Sequence, residues 1–545
     1  MKNKFSRKGA KAQRKPLETR QRFARLHLCA RNILPFSRVA LRTALLVNIL
    51  FALAVVCIAQ TDNAPSAKPG GDKPLTNDER AELLKLIRSL QERLDKLEAA
   101  QAAASQAATP QLAPPEPLSE KYDPSTSDDP HVWMPPVVEE KPAAEAATTA
   151  SYGRYTPNLG YKLANTEYGD LSVSIYTYAR YLNQLGLNPS YTDAFGVTKS
   201  VQQRQDFQLQ KVQIKFLGWV LDPKLRYFLY TWTSNATQGQ GAQVVVAGNV
   251  GYTFNNHFTF AAGITSLPGV RSTEGNFPFW LSVDSRHIAD EFFRPSYTSG
   301  IWLKGNITKR IRYQVMLGNN LSTLGVSASR LDNKFNTLSS AVVWAPTGEY
   351  GQGWGDFEDH QRPTSRVGLH FTRSDENRES QPNSDNFENT QLRLSDGSVI
   401  FAPDLFGPGI TITDATYRML DVDAGVKYRG FALEGEYYWR WLSNFKGTNT
   451  VGLANLFDHG FQLQASAMVL PKTLQFYLGT SRINGQFGKP WDIRSGLNWF
   501  PWKNKVVRWN NEWLYLYKSP VGYSSVPFAL GGKGSVFHST LELAF

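Results

Sequence analysis

The last ten residues, 536–545, alternate apolar and polar side chains up to the carboxyl terminus. Phe537, Leu541, Leu543 and Phe545 share one face of a predicted strand, and polar side chains occupy the other face. The ends of soluble domains usually fray in water, so a strand that closes on a large apolar ring needs a hydrophobic contact there. A lipid-facing strand of a closed membrane barrel supplies that contact. A half-buried strand of a β-sandwich is the alternative that this stretch alone leaves open.

The same alternation recurs in short segments from about residue 168 onward, separated by turn-rich stretches. We recognise sixteen segments, joined by short turns after most even segments and by long loops after most odd ones. An even strand number with short turns on one side and long loops on the other is typical of outer-membrane barrels. The sequence therefore predicts an all-β fold in which residues 168–545 form a 16-stranded antiparallel transmembrane β-barrel. The connection 346–363 is the exception, because it is long and falls on the short-turn side.

Aromatic residues favour the barrel over the sandwich. They make up 12% of the chain, which has 14 tryptophans, and many lie near predicted strand ends. A membrane barrel places such rings in girdles at its two interfaces, whereas a soluble sandwich would have to bury most of them in one core. After residue 60, no apolar run approaches the length of about 18 residues that a membrane-spanning helix needs.

The first 59 residues have the composition of a secretory signal peptide. They hold 13 of the 59 Lys and Arg residues and one acid, Glu18, and an apolar run from Thr43 to Ala59 follows the basic part. The basic part is unusually long, so translation starting near Val39 is an alternative. The rest of the chain has 59 − 13 = 46 basic and 47 − 1 = 46 acidic residues, which gives no support to nucleic-acid binding. Both cysteines, Cys29 and Cys57, lie in the predicted signal peptide.

Residues 60–104 contain a polar stretch and a predicted helix over about 76–100. Its apolar residues follow a heptad spacing of four and three, which is typical of a short coiled coil. The seam consists of Leu83, Ile87, Leu90, Leu94 and Leu97. A small trimeric coiled coil and a single amphipathic helix lying on another surface are both compatible with it. Residues 105–167 are rich in Pro and Ala, and we predict an extended periplasmic linker there.

A barrel of sixteen strands is wide enough to enclose water, so function should depend on inward side chains and on any loop folded inside. The loop after the fifth strand, 266–299, is the predicted constriction. Its charged candidates are Arg271, Glu274, Asp284, Arg286, His287, Asp290, Glu291 and Arg294. Alternation along the strands predicts ten inward basic residues: Lys211, Lys215, Lys304, Arg312, Arg366, Lys427, Arg429, Arg440, Arg494 and Arg508.

The region from residue 151 onward carries 37 basic and 30 acidic residues, a net charge of +7. Basic rings in a pore attract anions, so a mild anion preference is one interpretation of the inward residues. The other is that they solvate the wall in pairs with nearby carboxylates and confer no strong preference. The sequence leaves both open.

Several segments of residues 168–545 resemble the phosphate-selective porin O and P family of trimeric outer-membrane porins. They are FQLQKVQIKFLG at 207–218, GITSLPG at 263–269, VDSR at 283–286, FRP at 293–295, KYRGF at 427–431, GLNW at 496–499 and the terminal Phe545. The resemblance implies a sixteen-stranded trimer that passes anions through an arginine-lined pore, with Arg286 and Arg294 at family-like positions. It also implies that the outer-membrane insertion machinery reads the terminal aromatic strand. The family's basic ladder in strand two is here Lys211, Gln213 and Lys215, without arginine, so the sequence supports general small-solute diffusion better than phosphate specificity.

The leading hypothesis is therefore an outer-membrane porin for small hydrophilic solutes or anions, with its amino-terminal arm in the periplasm. We expect outer-membrane lipid, further copies in a homotrimer and the insertion machinery as partners, and neither a cofactor nor a metal site. An envelope tether that uses the coiled coil and linker is an alternative. A barrel-based hydrolase is a weaker one, since His287, His370 and His538 are candidates but the sequence carries no serine-hydrolase, paired-histidine or phosphate-loop motif.

Overall fold

The structure is a computed structural model, and it describes a defined part of the chain. Described are residues 155–156, 160–233, 244–273, 280–324, 326, 330–331, 334–351, 353–381, 392–523 and 525–545. The predicted signal peptide, the coiled-coil seam, nearly all of the predicted linker and Glu274 lie outside these residues.

Sixteen antiparallel strands form a closed barrel, as predicted. They are β1 (Gly169–Leu187), β2 (Gln205–Val220), β3 (Asp222–Thr233), β4 (Val244–Asn255), β5 (Phe258–Ser266), β6 (Tyr297–Thr308), β7 (Ile311–Gly318), β8 (Thr337–Trp344), β9 (Thr364–Asn377), β10 (Thr411–Tyr428), β11 (Phe431–Thr448), β12 (Leu456–Leu470), β13 (Leu474–Asn484), β14 (Trp491–Trp499), β15 (Val507–Tyr517) and β16 (Lys533–Ala544). Each strand pairs with its neighbours in sequence, and β16 pairs with β1 through Ser539–Tyr181 and Leu543–Thr177. The predicted strand number and the predicted closure are confirmed.

The period-2 alternation of the sequence determines which side of the wall each residue faces. In β13, Phe476 and Leu478 are exposed on the outside, while Tyr477 between them is fully buried on the inside. In β16, Leu541 is exposed and the adjacent Glu542 is fully buried. Apolar side chains face outward and polar side chains face inward, which is the reverse of the arrangement in a soluble protein. This arrangement suits a wall surrounded by lipid.

Two strands extend beyond their predicted ends. Alternation of apolar residues begins at Met419 in β10, but the strand begins at Thr411, and β11 continues to Thr448. The extra segments are polar and pair with each other, with Asp414 opposite Lys446. Hydrophobic alternation could not reveal these segments, and the connection between β11 and β12 is therefore short, 449–455.

The C-terminal residue completes the closing ladder. The Phe545 amide donates to the Ile175 carbonyl at 2.9 Å, and the Ile175 amide donates back at 2.5 Å. On the amino-terminal side of Ile175, the edge of β1 pairs with a further strand, Gly160–Thr166, through residues Gly169–Val173. The ring of Tyr161 on that strand meets the ring of Phe545 edge to face at 6.0 Å. The sheet therefore begins inside the segment that the sequence predicted as linker.

Two connections lie inside the barrel. The loop between β5 and β6, residues 267–296 (the inner loop), carries a 3-10 turn at Arg271–Thr273 and the short helix α1 (Ile288–Phe293). Phe293 of α1 stacks on Tyr438 of the wall at 5.0 Å, within an apolar cluster that includes Phe292. The connection between β8 and β9 also lies inside the barrel. Within the described residues, no helix is long and apolar enough to cross a membrane.

Deletion of Phe545 should lower the yield of folded barrel in the outer-membrane fraction of a Gram-negative host by more than tenfold. The deletion removes both backbone hydrogen bonds to Ile175 as well as an apolar contact worth about 2 kcal/mol. Heat-modifiable migration in gels measures the folded fraction. Phe431→Ala is the control, because Phe431 is also an outward phenylalanine but does not end the chain. Equal yields of the deletion and the control would contradict a special role for the terminus.

Candidate functional site

The arginines of the inner loop all meet carboxylates. Arg271 contacts Glu434 of β11 at 2.8 Å. Arg286 contacts Glu291 at 2.9 Å, and Arg294 contacts the other oxygen of Glu291 at 2.6 Å. Each guanidinium is therefore paired with a carboxylate, with Glu291 shared by two of them, and the three do not form a ring of unpaired positive charge.

Glu291 of α1 is the centre of one such cluster. It also accepts a hydrogen bond of 2.5 Å from the Tyr523 hydroxyl, and the Arg286 guanidinium lies 3.6 Å above the Trp280 ring. Burial alone would raise the pKa of Glu291, but Arg294 and Arg286 outweigh burial and lower it to about 2. The carboxylate thus stays ionised at neutral pH and holds α1 to the loop around Tyr523.

Asp284 anchors the loop to β1 and β2. Its carboxylate contacts the Lys211 ammonium at 2.6 Å and accepts a hydrogen bond of 2.5 Å from the Tyr178 hydroxyl. Lys211 has a φ of 49° and lies where the register between β1 and β2 shifts. This bulge turns the lysine toward the loop, so Lys211 does not continue a regular ladder with Gln213 and Lys215.

His287 anchors the loop to β14. Its Nδ1 lies 2.7 Å from an Asp492 oxygen on β14, and Arg494 contacts the same carboxylate at 3.2 Å. The Ser481 hydroxyl donates to the other Asp492 oxygen rather than to the imidazole. The serine hydroxyl therefore does not face the imidazole that would accept its proton, which is not the order of a catalytic Ser–His–Asp triad.

The other two histidines considered for the hydrolase alternative also contact carboxylates of the wall. His538 Nε2 lies 3.1 Å from Glu512, and its Nδ1 lies 3.2 Å from the Thr540 hydroxyl. His370 contacts Asp423 at 3.0 Å. Each histidine is thus held against a carboxylate of an adjacent strand.

Arg271 joins the inner loop to the connection 345–363. Its guanidinium donates to the Gly353 carbonyl at 2.9 Å and lies 4.4 Å from the centre of the Trp354 ring. The Gly355 amide donates to Glu434, the same residue that pairs with Arg271. The connection that was exceptional in the strand count therefore folds inward from the short-turn side. The glycines and aromatic residues of this connection are visible in the sequence. The sequence alone does not show that they lie beside Glu434, so their inward position could not be predicted.

Most of the predicted inward basic residues lie inside the barrel. Lys215, Lys304 and Arg312 occupy inward positions on β2, β6 and β7. Arg366, Arg440, Arg494 and Arg508 are buried and contact Asp423, Asp458, Asp492 and Glu542, respectively. Lys427 is buried and donates to the Gly353 carbonyl at 3.2 Å.

The prediction for Arg429 is wrong. This residue lies in the tight turn between β10 and β11 with a φ of 48°, followed by Gly430 with a φ of 79°. It is exposed, and its guanidinium lies 5.2 Å from the centre of the Tyr428 ring. Alternation was extended one residue past the end of β10, where the backbone already reverses.

Charge is distributed unevenly around the wall. Strands β2–β8 contain two acids, Asp206 and Asp222, at strand ends, and six bases, Lys211, Lys215, Lys224, Arg226, Lys304 and Arg312. The other strands carry acids and bases in nearly equal number, and α1 packs against β12, β13 and β14. One side of the interior is therefore basic, while the other is occupied by the inner loop and its ion pairs.

Comparison with known proteins gives structural similarity only. No family model matches the chain, and no curated sequence matches it. An anion-selective porin from Comamonas acidovorans is 10% identical with a TM-score of 0.42, covering 69% of this chain and 100% of that chain. The outer membrane channel DcaP of Acinetobacter baumannii is 9% identical with a TM-score of 0.42, covering 70% and 99%. Salmonella typhi OmpF, in complex with daunomycin, is 14% identical with a TM-score of 0.40, covering 70% and 100%.

Asp290 of α1 makes the inner loop sensitive to pH. Burial and the nearby Glu436 raise the pKa of Asp290 to about 7, so the folded state holds a proton that the unfolded state releases. Stability from this proton is present at acidic pH and is lost as pH rises through 7. We expect Asp290 to contribute a fall of about 1 kcal/mol in the free energy of unfolding between pH 6 and pH 8. This contribution is taken as the difference between wild-type protein and Asp290→Asn, because burial lowers the pKa of His287 and shifts the total in the opposite direction.

Denaturant unfolding of the barrel in detergent micelles at the two pH values measures this difference. Asp290→Asn should remove it, whereas Asp404→Asn, which changes an exposed loop carboxylate, should leave it intact. An equal pH difference in wild-type protein and Asp290→Asn would show that Asp290 does not contribute.

Proposed function

We propose that the protein is an outer-membrane porin that lets small hydrophilic solutes diffuse through a water-filled channel. The observation that carries this proposal is the closed barrel of sixteen strands with an apolar outside and a charged inside. Sixteen strands enclose more space than wall side chains alone can fill. A wall of this kind is stable when lipid covers its outer face, since every backbone polar group is paired within the closed sheet.

Aromatic belts at both ends of the wall support a membrane position. Trp491 stacks on Tyr515 at 5.5 Å and on Tyr517 at 5.8 Å at the end of the barrel that carries the long loops. Trp499 and Trp509 lie 6.0 Å apart at the opposite end. Amphipathic rings prefer the two membrane–water interfaces. The long-loop end then faces outward, and the amino-terminal arm lies in the periplasm.

The solute path that we propose runs along β2–β8. α1 packs against β12, β13 and β14, and Asp284 ties the inner loop to Lys211 of β2, so the proposed path follows the other basic residues of β2–β8. Lys215, Arg226, Lys304 and Arg312 lie in the half of these strands nearest the short turns. Bases outnumber acids along this path, and this excess favours small anions over cations.

A narrower specificity for phosphate is the finer proposal that the family resemblance suggests. Gln213 occupies the middle of the expected basic ladder, and Lys211 is already neutralised by Asp284 at 2.6 Å. A general preference for small anions fits these residues better than a dedicated phosphate site. The resemblance also suggests a homotrimer, whose channels would close in groups of three.

Planar lipid bilayers test the channel directly. The purified full-length protein should produce stepwise conductance, with steps that group in threes if the trimer is correct. In a KCl gradient, the reversal potential should indicate anion preference. Complete absence of conductance from protein that migrates as folded barrel would refute the porin and favour the tether.

The double variant Lys215→Gln/Lys304→Gln should lower the anion-to-cation permeability ratio roughly twofold to fivefold, because a unit charge at about 4 Å in water is worth about 1 kcal/mol. Arg429→Gln is the matched control, since it removes a positive charge at an exposed turn. Equal reversal potentials for the wild-type protein and the double variant would show that solute does not pass along β2–β8.

A further inference from the structure

We propose that His370, Asp421 and Asp423 form a binding site for one divalent transition-metal ion of the zinc type on the inner wall of the barrel. This site is separate from the basic wall to which the proposed function assigns the solute. The sequence predicted no metal site, because the three residues do not follow a recognisable ligand spacing. Strand pairing brings them together.

The sheet register creates the cluster. His370 of β9 pairs directly with Asp421 of β10, and Asp423 is two residues further on the same inward face. His370 Nε2 lies 3.0 Å from an Asp423 oxygen and 3.9 Å from an Asp421 oxygen, and the three donor atoms all lie within 4.8 Å of one another. Zinc–nitrogen and zinc–oxygen bonds are about 2.0–2.2 Å long, so one ion can reach all three atoms with small side-chain adjustments.

The second nitrogen of His370 prepares the ring to bind a metal. His370 Nδ1 lies 3.0 Å from the Pro268 carbonyl oxygen. A carbonyl only accepts hydrogen bonds, so Nδ1 carries a proton, and without a metal Nε2 donates a second hydrogen to the Asp423 carboxylate. A bound metal would replace that second hydrogen on Nε2. Metal-bound histidines typically donate their other ring N–H to a carbonyl or carboxylate in this way.

Asp421 supplies an independent sign of a missing cation. The residue is fully buried, and neither of its carboxylate oxygens accepts a hydrogen bond from any described residue. The adjacent Glu436 accepts hydrogen bonds from Tyr438, Gln462 and the Arg271 amide, so it can stabilise Asp421 only by sharing a proton with it, and a metal would take the place of that proton. A buried carboxylate without a partner is costly, and a metal ion would remove that cost.

The surrounding charges also favour a divalent cation. Five carboxylates lie in this part of the interior, Asp290, Asp421, Asp423, Glu434 and Glu436, and two arginines, Arg271 and Arg366, contact them. Arg366 holds Asp423 through both oxygens at 2.8 and 3.0 Å. That contact fixes the carboxylate while each oxygen keeps a lone pair for the metal. Even with a proton on Asp290, the carboxylates outnumber the two arginines, which favours a cation at the cluster.

Gly368 provides space at the cluster. A Cβ atom placed on this residue would lie 1.8 Å from an Asp423 oxygen and 2.8 Å from His370 Nε2. Any larger residue would therefore displace the donor atoms. Gly368→Ala is thus a variant that disturbs the site and leaves all three ligands in the sequence.

A second group with suitable donors offers a comparison. Asp356, Glu358 and His360 also lie within metal-binding distance of one another. Their donors are committed elsewhere, since Asp356 contacts His360 and accepts from the Gly430 amide, and Glu358 pairs with Lys505. His360→Gln is therefore the matched control for His370→Gln.

The experiment measures metal bound to the full-length protein folded in detergent. Co²⁺ serves as the spectroscopic probe, because its visible absorption reports coordination by protein ligands, and competition with Zn²⁺ gives the zinc affinity. Wild-type protein and His360→Gln should bind one ion per chain. His370→Gln, Asp421→Asn and Gly368→Ala should weaken binding more than about 100-fold, beyond the cost of changing outer-shell partners. Heat-modifiable migration verifies that each variant is folded.

Two results would overturn the proposal. One is folded wild-type protein that binds neither ion, because protons alone would then neutralise this cluster. The other is equal metal binding by wild-type protein and folded His370→Gln. Channel conductance is independent of both results, so failure of the metal site leaves the porin proposal intact.

Discussion

The pairing of β16 with β1 is the contact on which the rest of the structure depends. It leaves no open edge in the main wall, and its last hydrogen bonds come from the terminal residue, Phe545. Once the sheet is closed, the period-2 alternation gives every strand a lipid-compatible outside and a polar inside. The strand Gly160–Thr166 covers the part of β1 that β16 does not reach, so both ends of the barrel sequence meet at one seam.

Charge pairing then organises the interior. The inner loop is tied to β1 and β2 through Asp284, to β14 through His287 and to β11 through Arg271. Truncating one partner of a buried pair leaves the other charge uncompensated, at a cost that exceeds the net worth of the pair. Arg271 also holds the connection 345–363, so two inward segments depend on one guanidinium. Lys211 of β2 belongs to this network, whereas Lys215 of the same strand is one of the residues proposed to meet solute.

Much of the fold could be predicted from the sequence, because one face of each strand is apolar and the turns are short. The polar extensions of β10 and β11 could not, since they carry no apolar alternation. Inward position was predictable for residues such as Arg366 and Arg494, but their ion pairs were not, because partners such as Asp423 and Glu512 are defined by register across strands. The cluster around His370 could not be predicted for the same reason. Arg429 shows the opposite error, in which a pattern is continued through a turn.

Site-directed labelling with a bulky thiol reagent tests the central claim that solute passes along the basic wall. Both cysteines of the chain lie in the predicted signal peptide, so a single Lys215→Cys substitution provides one reactive thiol. Labelling it should reduce single-channel conductance, whereas Gln475→Cys, on the buried inner face of β13, should show no block. Unchanged conductance after complete labelling at position 215, or an equal block at position 475, would contradict this path.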